Sequence, residues 1–324
     1  MLPAPFQNAL VLTGPTGSGK TRLALDLAER LGAEIVSMDS MALYRGMDIG
    51  TAKPTSEQQA RVRHHLLDVL DPWESANVAW WLQRAADCCR DIASRGRRPL
   101  FVGGTPLYLK ALLCGLFDGP PGDDGLRQRL TDEAASIGTA ALHARLAALD
   151  PASAARIHPN DLRRIIRALE VCELTGRPMS SWQTQWTAVT LEPEAQVRAK
   201  AALACASGTD GAPAVLWLEL PRADLSQRID RRVEEMFAAG FVEEVRRLRS
   251  LDRPWSRQAA QALGYREVGD QLDGKFDIAK TIRQVQTRTR QFVKRQLTWF
   301  RHLPGCRPAT IELTWALWCP TMRE

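Results

Sequence analysis

No stretch of the 324-residue chain stays apolar for the ~18 residues that a membrane-crossing helix requires, so a helical span is excluded and no membrane partner is expected. No basic residue precedes Lys20, which argues against a secretory signal peptide and makes a cytoplasmic location the expectation. The seven cysteines, at 88, 89, 114, 172, 205, 306 and 319, form no Cys-x-x-Cys pair and have no histidine pair beside them. That spacing supplies no zinc site, and the odd count argues against a disulfide framework; both point to reduced thiols. Disorder and collagen-like repeats are excluded as well, because 45% of the residues are hydrophobic and 25% are charged. Acidic residues are scarce in one region only. The last fifty residues hold ten basic side chains against Asp277, Glu312 and Glu324, whereas the rest of the chain sums to −1. The whole net charge of +6 is therefore local, the pattern of a face that meets a polyanion, although a solvated basic helix has the same composition.

A single core stops growing at roughly 250 to 300 residues, so one large domain or a domain with an insertion is expected. The apolar run over residues 9–13 ends at Gly14 and is followed by Leu23, Leu27 and Leu31 at helical spacing, which reads as strand, turn and helix. Residues 34–37 read as a second strand. Pro99 to Val102 reads as a third, reached through a helix from about Asn77 to Arg95, and Ala214 to Leu220 as a further strand. Short buried strands alternating with helices predict an α/β fold with a parallel sheet. From Asp118, Gly119, Pro120, Pro121 and Gly122 to about Trp186 only helical periodicities occur, which predicts an all-helical insertion, and residues 188–213 read as a flexible return path. After Pro221 every segment reads as helix, ending in a long one from about Asp277 to His302.

Gly14, Pro15, Thr16, Gly17, Ser18, Gly19, Lys20 and Thr21 fit the phosphate-loop pattern and lie between a predicted strand and a predicted helix. Glycines let backbone N–H groups wrap an anion at a helix N-terminus, where unpaired donors and the macrodipole favour negative charge. Lys20 supplies a cation for phosphates, and Thr21 a hydroxyl for Mg²⁺. The motif is shared with ATP-binding proteins, but it does not establish ATP hydrolysis. Strand three ends in Val102, Gly103, Gly104 and Thr105, with no acid where a nucleotide hydrolase keeps its metal-organising carboxylate. The acid lies instead after strand two, as Asp39 followed by Ser40. Ligands of open parallel sheets bind at the carboxyl ends of the strands, so Asp39, Thr105 and the phosphate loop are expected to share one cleft. There Asp39 can hold Mg²⁺, accept a proton from a nucleophile, or merely cap the following helix. The expected fold is thus a P-loop NTPase-like core over residues 1–118 and 206–324 that includes a helical C-terminal region, with an all-helical insertion domain over 119–205.

The run Asp39-Ser40-Met41-Ala42-Leu43-Tyr44-Arg45-Gly46-Met47-Asp48-Ile49-Gly50-Thr51-Ala52-Lys53-Pro54 is far more specific than a phosphate loop. It resembles the tRNA dimethylallyltransferases, also called tRNA isopentenyltransferases, of bacterial type. The likeness continues through His64 to Asp68, Gly103 to Tyr108, Arg156 to Asp161, Gly264 to Arg266 and Lys294 to Trp299, and so spans roughly residues 9 to 301 in the family's order. The resemblance implies transfer of a dimethylallyl group from dimethylallyl diphosphate to N6 of the adenine beside the anticodon, tRNA position 37. The partners it implies are dimethylallyl diphosphate and the tRNA anticodon stem-loop, with Mg²⁺ as cofactor. In that reading the loop holds the diphosphate leaving group, Asp39 matches the family's catalytic base, and Thr105 and Arg127 match positions that assist the diphosphate end and contact the target nucleotide region. Asp39 to Ala42, Arg163, Arg164, Arg167, Gly264, Tyr265 and Arg266 fall in regions that the family applies to tRNA, and the insertion would embrace the anticodon stem-loop. Taken alone, Arg127 and the Arg163 to Arg167 segment read equally well as solvated helix faces, and Tyr265 as a packing residue.

The last helix tests the charge argument separately. At 100° per residue, Arg283, Arg290, Lys294 and Arg301 fall within a stripe about 40° wide. Ile278, Ile282, Val285, Phe292, Val293 and Trp299 occupy a separate apolar face, and only Asp277 is available as an acidic partner within the helix. Arg295 and Trp299 join the expected RNA contacts through the matched Lys294 to Trp299 run. The ten tryptophans read mostly as core, and His64 and His65 as structural. Three positions depart from the family pattern: Gly17 where alanine is common, Ala42 where a longer side chain is usual, and Arg63 where proline usually precedes the histidines. A monomer is the expectation. The competing functions are a small-molecule kinase, which has no use for a basic C-terminal helix, and a non-catalytic RNA-binding nucleotide switch, which has no need of Asp39.

Overall fold

The computed structural model describes residues 2–116, 119–182 and 214–319. Two compact units are formed, one from Met1–Leu113 with Ala199–Glu324 and the other from Cys114–Arg198. Residue 118, the boundary expected at 205 and 206, the return path over 188–213, Trp186 and Cys205 lie outside the described residues.

The first unit is built on a six-stranded parallel sheet of β1 (Leu10–Thr13), β2 (Ala33–Ser37), β3 (His64–His65), β4 (Arg98–Gly103), β5 (Val215–Leu218) and β6 (Arg307–Ala309), in the order β3-β2-β4-β1-β5-β6. Side chains alternate across the strands, so each face feeds its own core. Val11, Val36, Phe101 and Trp217 enter one core. Leu10, Leu12, Ile35, Leu100 and Leu216 enter the other, where Leu23 and Leu27 of helix α1 (Lys20–Leu31) meet them. From β1 the chain moves toward β2, and later it passes to β5 on the other side. The carboxyl ends of β1 and β4 therefore flank the point where the winding reverses, the usual ligand crevice of an open parallel sheet.

The expected strands 9–13, 34–37, 99–102 and 214–220 correspond to β1, β2, β4 and β5. Two others had no readable signal. β3 has two residues, pairing Ile35 with His64, and β6 has three, pairing Leu216 with Arg307. β6 also corrects the expectation that everything after Pro221 is helical. Neither is long enough for a period to show; each forms because an adjacent strand offers a free ladder.

Around the sheet lie α2 (Ser56–Arg61), α3 (Val78–Ser94) and α4 (Pro106–Cys114). The second unit holds α5 (Asp124–Ile137), α6 (Thr139–Leu149), α7 (Pro151–Arg156), α8 (Leu162–Thr175) and α9 (Met179–Trp182), packed about Leu130, Leu142, Leu146, Ile165 and Leu169. Asp123, Asp150 and Asp161 each cap the helix that follows, satisfying N–H groups that have no partner within the helix. The first unit then adds α10 (Arg222–Ala238), α11 (Phe241–Arg249), α12 (Tyr265–Leu272), α13 (Ile278–His302) and α14 (Ile311–Trp318). No helix among the described residues is long and apolar enough to cross a membrane.

Candidate active site at the phosphate loop

The loop from Gly14 to Gly19 connects β1 to α1 at the crevice. Gly17 and Gly19 have φ of +81° and +84°, left-handed values that a side chain disfavours, so glycine is required at both. Gly19 caps α1 without a side-chain bond, which leaves the first-turn N–H groups to a ligand. Ser18 Oγ is buried with no hydrogen-bond partner among the described residues, a polar atom suited to a bound anion. Lys20 Nζ donates to the Pro15 carbonyl at 3.3 Å. Burial pushes the Lys20 ammonium down to about 8; the charge of Arg232 on α10 pushes the same way, and Asp39 opposes both. Arg232 is itself lowered by burial and raised by Asp39, so these three charges sense one another across the crevice.

Asp39 stands just beyond β2 on a rigid support. Trp81 Nε1 donates to the Ser37 carbonyl at 3.1 Å, and its ring stacks on Tyr108 at 4.3 Å. Met38 N–H donates to the Val102 carbonyl at 2.8 Å. A Cβ on Gly103 would lie 2.1 Å from the Met38 carbonyl oxygen, so only glycine lets the end of β4 approach this closely. Thr105 N–H donates back to the Met38 carbonyl at 3.2 Å, and Ser40 N–H donates to Thr105 Oγ1 at 3.0 Å. The Asp39 carboxylate accepts the Met41 N–H at 2.9 Å through Oδ1, while Oδ2 has no hydrogen bond among the described residues. No helix follows Asp39, so the bond closes a turn and the helix-capping alternative does not hold.

Reading the sequence missed three residues of this region. Gln296 on α13 is buried and bridges the phosphate loop to the end of β4: Thr16 N–H donates to its Oε1 at 3.1 Å, and its Nε2 donates to the Gly104 carbonyl at 2.6 Å. Arg232 is the second. The third is Glu244 on α11, whose buried carboxylate accepts the N–H groups of Asp48, Ile49 and Gly50 at 3.0, 2.7 and 3.1 Å and the Tyr265 hydroxyl at 2.6 Å. It anchors the loop that runs on from Asp39. Only Gln296 had a signal, since it lies inside the Lys294 to Trp299 run.

The expected RNA contacts divide by exposure. Ser40 and Met41 are half-buried, whereas Ala42 is 5% exposed, so its small side chain belongs to the core and a direct contact there is corrected. Tyr265 is 1% exposed, packed against Phe241 and Trp255, and Gly264 is buried; both are packing residues, and only Arg266 of that trio is exposed. In the second unit Arg163 and Arg164 are exposed at the start of α8. Arg127 and Arg167 converge instead on the buried Glu170, at 2.9 and 2.6 Å. On α13, Arg283, Lys294, Arg295 and Arg301 are exposed, but Arg290 pairs with Asp230 of α10 and Arg301 lies 3.8 Å from Glu219. Acids on neighbouring elements thus neutralise part of the stripe. The buried face of α13 is Thr281, Val285, Thr289, Val293, Gln296 and Phe300. That corrects the expected apolar face: Ile278, in the first turn, is 52% exposed, and Ile282, Phe292 and Trp299 are only half-buried.

A family model described as IPP transferase matches residues 42–303, and a second, described as isopentenyl transferase, matches residues 7–70. The chain belongs to the IPP transferase family. A relative named tRNA dimethylallyltransferase, from Geobacter metallireducens, is 46% identical over 292 residues, covering 90% of this chain and 89% of its own. The crystal structure of the full-length tRNA isopentenylpyrophosphate transferase of Bacillus halodurans matches with a TM-score of 0.62 at 37% identity, covering 94% of this chain and 90% of that one. A eukaryotic dimethylallyltransferase captured acting on tRNA matches with a TM-score of 0.69 at 25% identity, covering 97% of this chain and 77% of that one. The P-loop NTPase-like core is thus the fold of this IPP transferase family member. Of its departures from the family pattern, Arg63 acquires an explanation: its Nε lies 3.9 Å from Glu34, which His65 and Arg95 also contact at 2.7 Å.

Proposed function

We propose that the protein transfers the dimethylallyl group of dimethylallyl diphosphate to N6 of the adenosine at tRNA position 37, giving N6-(dimethylallyl)adenosine and diphosphate. The observation that carries this reading is the sharing of one crevice by a phosphate loop and the supported carboxylate of Asp39, in a chain of the IPP transferase family.

An exocyclic amine is a weak nucleophile, so its proton must leave as the C–N bond forms. Asp39 takes that proton through Oδ2, while Oδ1 stays fixed on Met41 N–H. The C–O bond to diphosphate breaks in the same displacement, and Lys20, Arg232, the Thr105 hydroxyl and the amides at the start of α1 stabilise the negative charge left on the departing oxygen. The loop therefore serves a leaving group rather than a nucleotide.

Among the described residues no three or more His, Cys, Asp or Glu side chains cluster as a metal cage. Mg²⁺ suits such a site, since it is ordinarily held by one or two protein oxygens together with substrate phosphates. Thr21, with its hydroxyl at the start of α1, would hold it. Bound there, it supplies further charge neutralisation for diphosphate.

The exposed face of α13 takes the phosphates of the RNA, and the helical unit, with Arg127, Arg163, Arg164 and Arg167, meets the anticodon stem-loop. The target base leaves the stack to reach Asp39, as chemistry on a base edge requires. The enzyme acts as a cytoplasmic monomer.

The test combines purified protein, unmodified tRNA, radiolabelled dimethylallyl diphosphate and Mg²⁺. Label in adenosine 37 is the expected result. No label in the RNA, together with ATP-dependent phosphorylation of a small molecule, contradicts the reading. Asp39→Ala should abolish transfer while tRNA still binds; equal loss of both would make Asp39 a binding residue.

A further inference from the structure

Gln296 is the one buried side chain that touches both walls of the crevice among the described residues. It lies on α13, 2% exposed, between residue 16 of the phosphate loop and residue 104 just before Thr105. Its two amide atoms meet partners of opposite character. Oε1 faces an N–H, which can only donate, and Nε2 faces a carbonyl, which can only accept. Rotating the amide by half a turn would set donor against donor and acceptor against acceptor, so a single orientation is selected. A carboxylate of the same size could satisfy Thr16 but would repel the Gly104 carbonyl. An apolar side chain of the same volume would leave both buried groups unpaired.

The surroundings conform to this bridge. A Cβ on Gly104 would lie 2.5 Å from Gln296 Nε2, so residue 104 has no room for a side chain while the amide is in place. The Thr16 N–H is turned toward Gln296 and is thereby committed to the protein, which fixes the peptide plane from which the ligand-facing amides of the loop continue. On the other side Gly104 adjoins Thr105, whose hydroxyl is tied to Ser40.

The geometry points to Gln296 as a positioning residue that holds the diphosphate loop in register with the Thr105 support and so sets the affinity for the diphosphate end of the substrate. This rests on the prenyl-transfer reading for its kinetic arm only, because diphosphate binding is measurable without transfer. Gln296 touches no substrate atom; it acts through the Thr16 amide and the Gly104 carbonyl.

The experiment compares the wild type with Gln296→Leu, Gln296→Glu, Gly104→Ala and the double variant Gly104→Ala with Gln296→Ala. Inorganic pyrophosphate is titrated calorimetrically, and KM is measured separately for dimethylallyl diphosphate and for tRNA. Gln296→Leu should weaken pyrophosphate binding and raise KM for dimethylallyl diphosphate by about tenfold, the scale of one lost buried hydrogen-bond pair, while KM for tRNA changes less than about twofold. Gln296→Glu, which keeps the size and the acceptor, should show the same split. Gly104→Ala should mimic both by displacing the amide, and the double variant should be no worse than Gln296→Ala alone. Unchanged pyrophosphate affinity in folded Gln296→Leu overturns the inference. So does an equal rise in both KM values that tracks a lower melting temperature, or a double variant whose loss is the sum of its parts. If the wild type binds pyrophosphate but transfers no prenyl group, the proposed function fails while the binding arm still decides the role of Gln296.

Discussion

The Ser40 N–H donates to Thr105 Oγ1 at 3.0 Å, which ties the residue after Asp39 to the residue that follows the Gly103-Gly104 pair. The same hydroxyl lies 3.4 Å from Ser40 Oγ, too long for a firm bond, so its hydrogen is available to a departing oxygen. Thr105 thereby holds the base and serves the leaving group with one atom. Thr105→Ala is expected to lower the single-turnover rate by about 10²-fold, the usual cost of one transition-state donor, with tRNA affinity unchanged. Thr105→Ser, which keeps the hydroxyl, should recover most of the rate. A full rate in Thr105→Ala would show that the hydroxyl only braces the loop.

Lys20 gives the site a pH dependence. Its ammonium is lowered to about 8, by burial first and by Arg232 second. Diphosphate needs the cation, so pyrophosphate affinity should be level below neutrality and weaken as pH rises through about 8. In stability the sign is reversed. The unfolded lysine titrates at its ordinary 10.5, so between about 8 and 10.5 the unfolded chain binds more protons, and the folded protein gains stability as pH rises through that window. Calorimetric titration of pyrophosphate across this range checks the first effect. Arg232→Ala should move the inflection to higher pH, and an affinity that stays level to pH ~9.5 would contradict the role given to Lys20.

The basic stripe on α13 should not act uniformly. Lys294 and Arg283 are exposed, whereas Arg290 is engaged by Asp230. Arg283→Ala and Lys294→Ala together should flatten the salt dependence of tRNA binding by about 1.5 to 2 in the log–log slope, the release of two counterions. Arg290→Ala should change it less and cost under ~1 kcal/mol in stability, as a half-exposed pair does. Equal slopes for the wild type and the double variant would remove α13 from the RNA interface.

Glu244 is expected to matter for folding rather than for chemistry. Its buried carboxylate accepts three successive amides and the Tyr265 hydroxyl, and Glu244→Ala leaves all four donors unpaired beside the crowded Gly50. A loss of ~3 kcal/mol or more in urea unfolding is expected, from the cost of stranded buried polar groups. A change under ~1 kcal/mol would mean that the loop over residues 48–50 holds its shape without this anchor.

What the sequence disclosed and withheld follows from the range of each interaction. β1, α1 and α13 were legible because their periods run along the chain, and the phosphate loop because its glycines are a local requirement. The pairing of α13 with acids on α10 was not legible, nor was the bridge made by Gln296, whose partners lie 192 and 280 residues away. Tyr265 and Ala42 were misassigned to the RNA surface for a related reason: a motif position says that a residue is required, not whether it faces solvent. The polar members of the buried face of α13, Thr281, Thr289 and Gln296, defeated the apolar-face argument in the same way.

The central claim is that the phosphate loop holds the diphosphate of a prenyl donor as a leaving group. The most direct measurement is the count of diphosphate released per prenylated adenosine formed, with Mg²⁺ and tRNA present and every nucleoside triphosphate withheld. One diphosphate per modified nucleoside is the predicted result, with no change when ATP is added. Transfer that requires ATP, or ATP consumed in proportion to product, would contradict it.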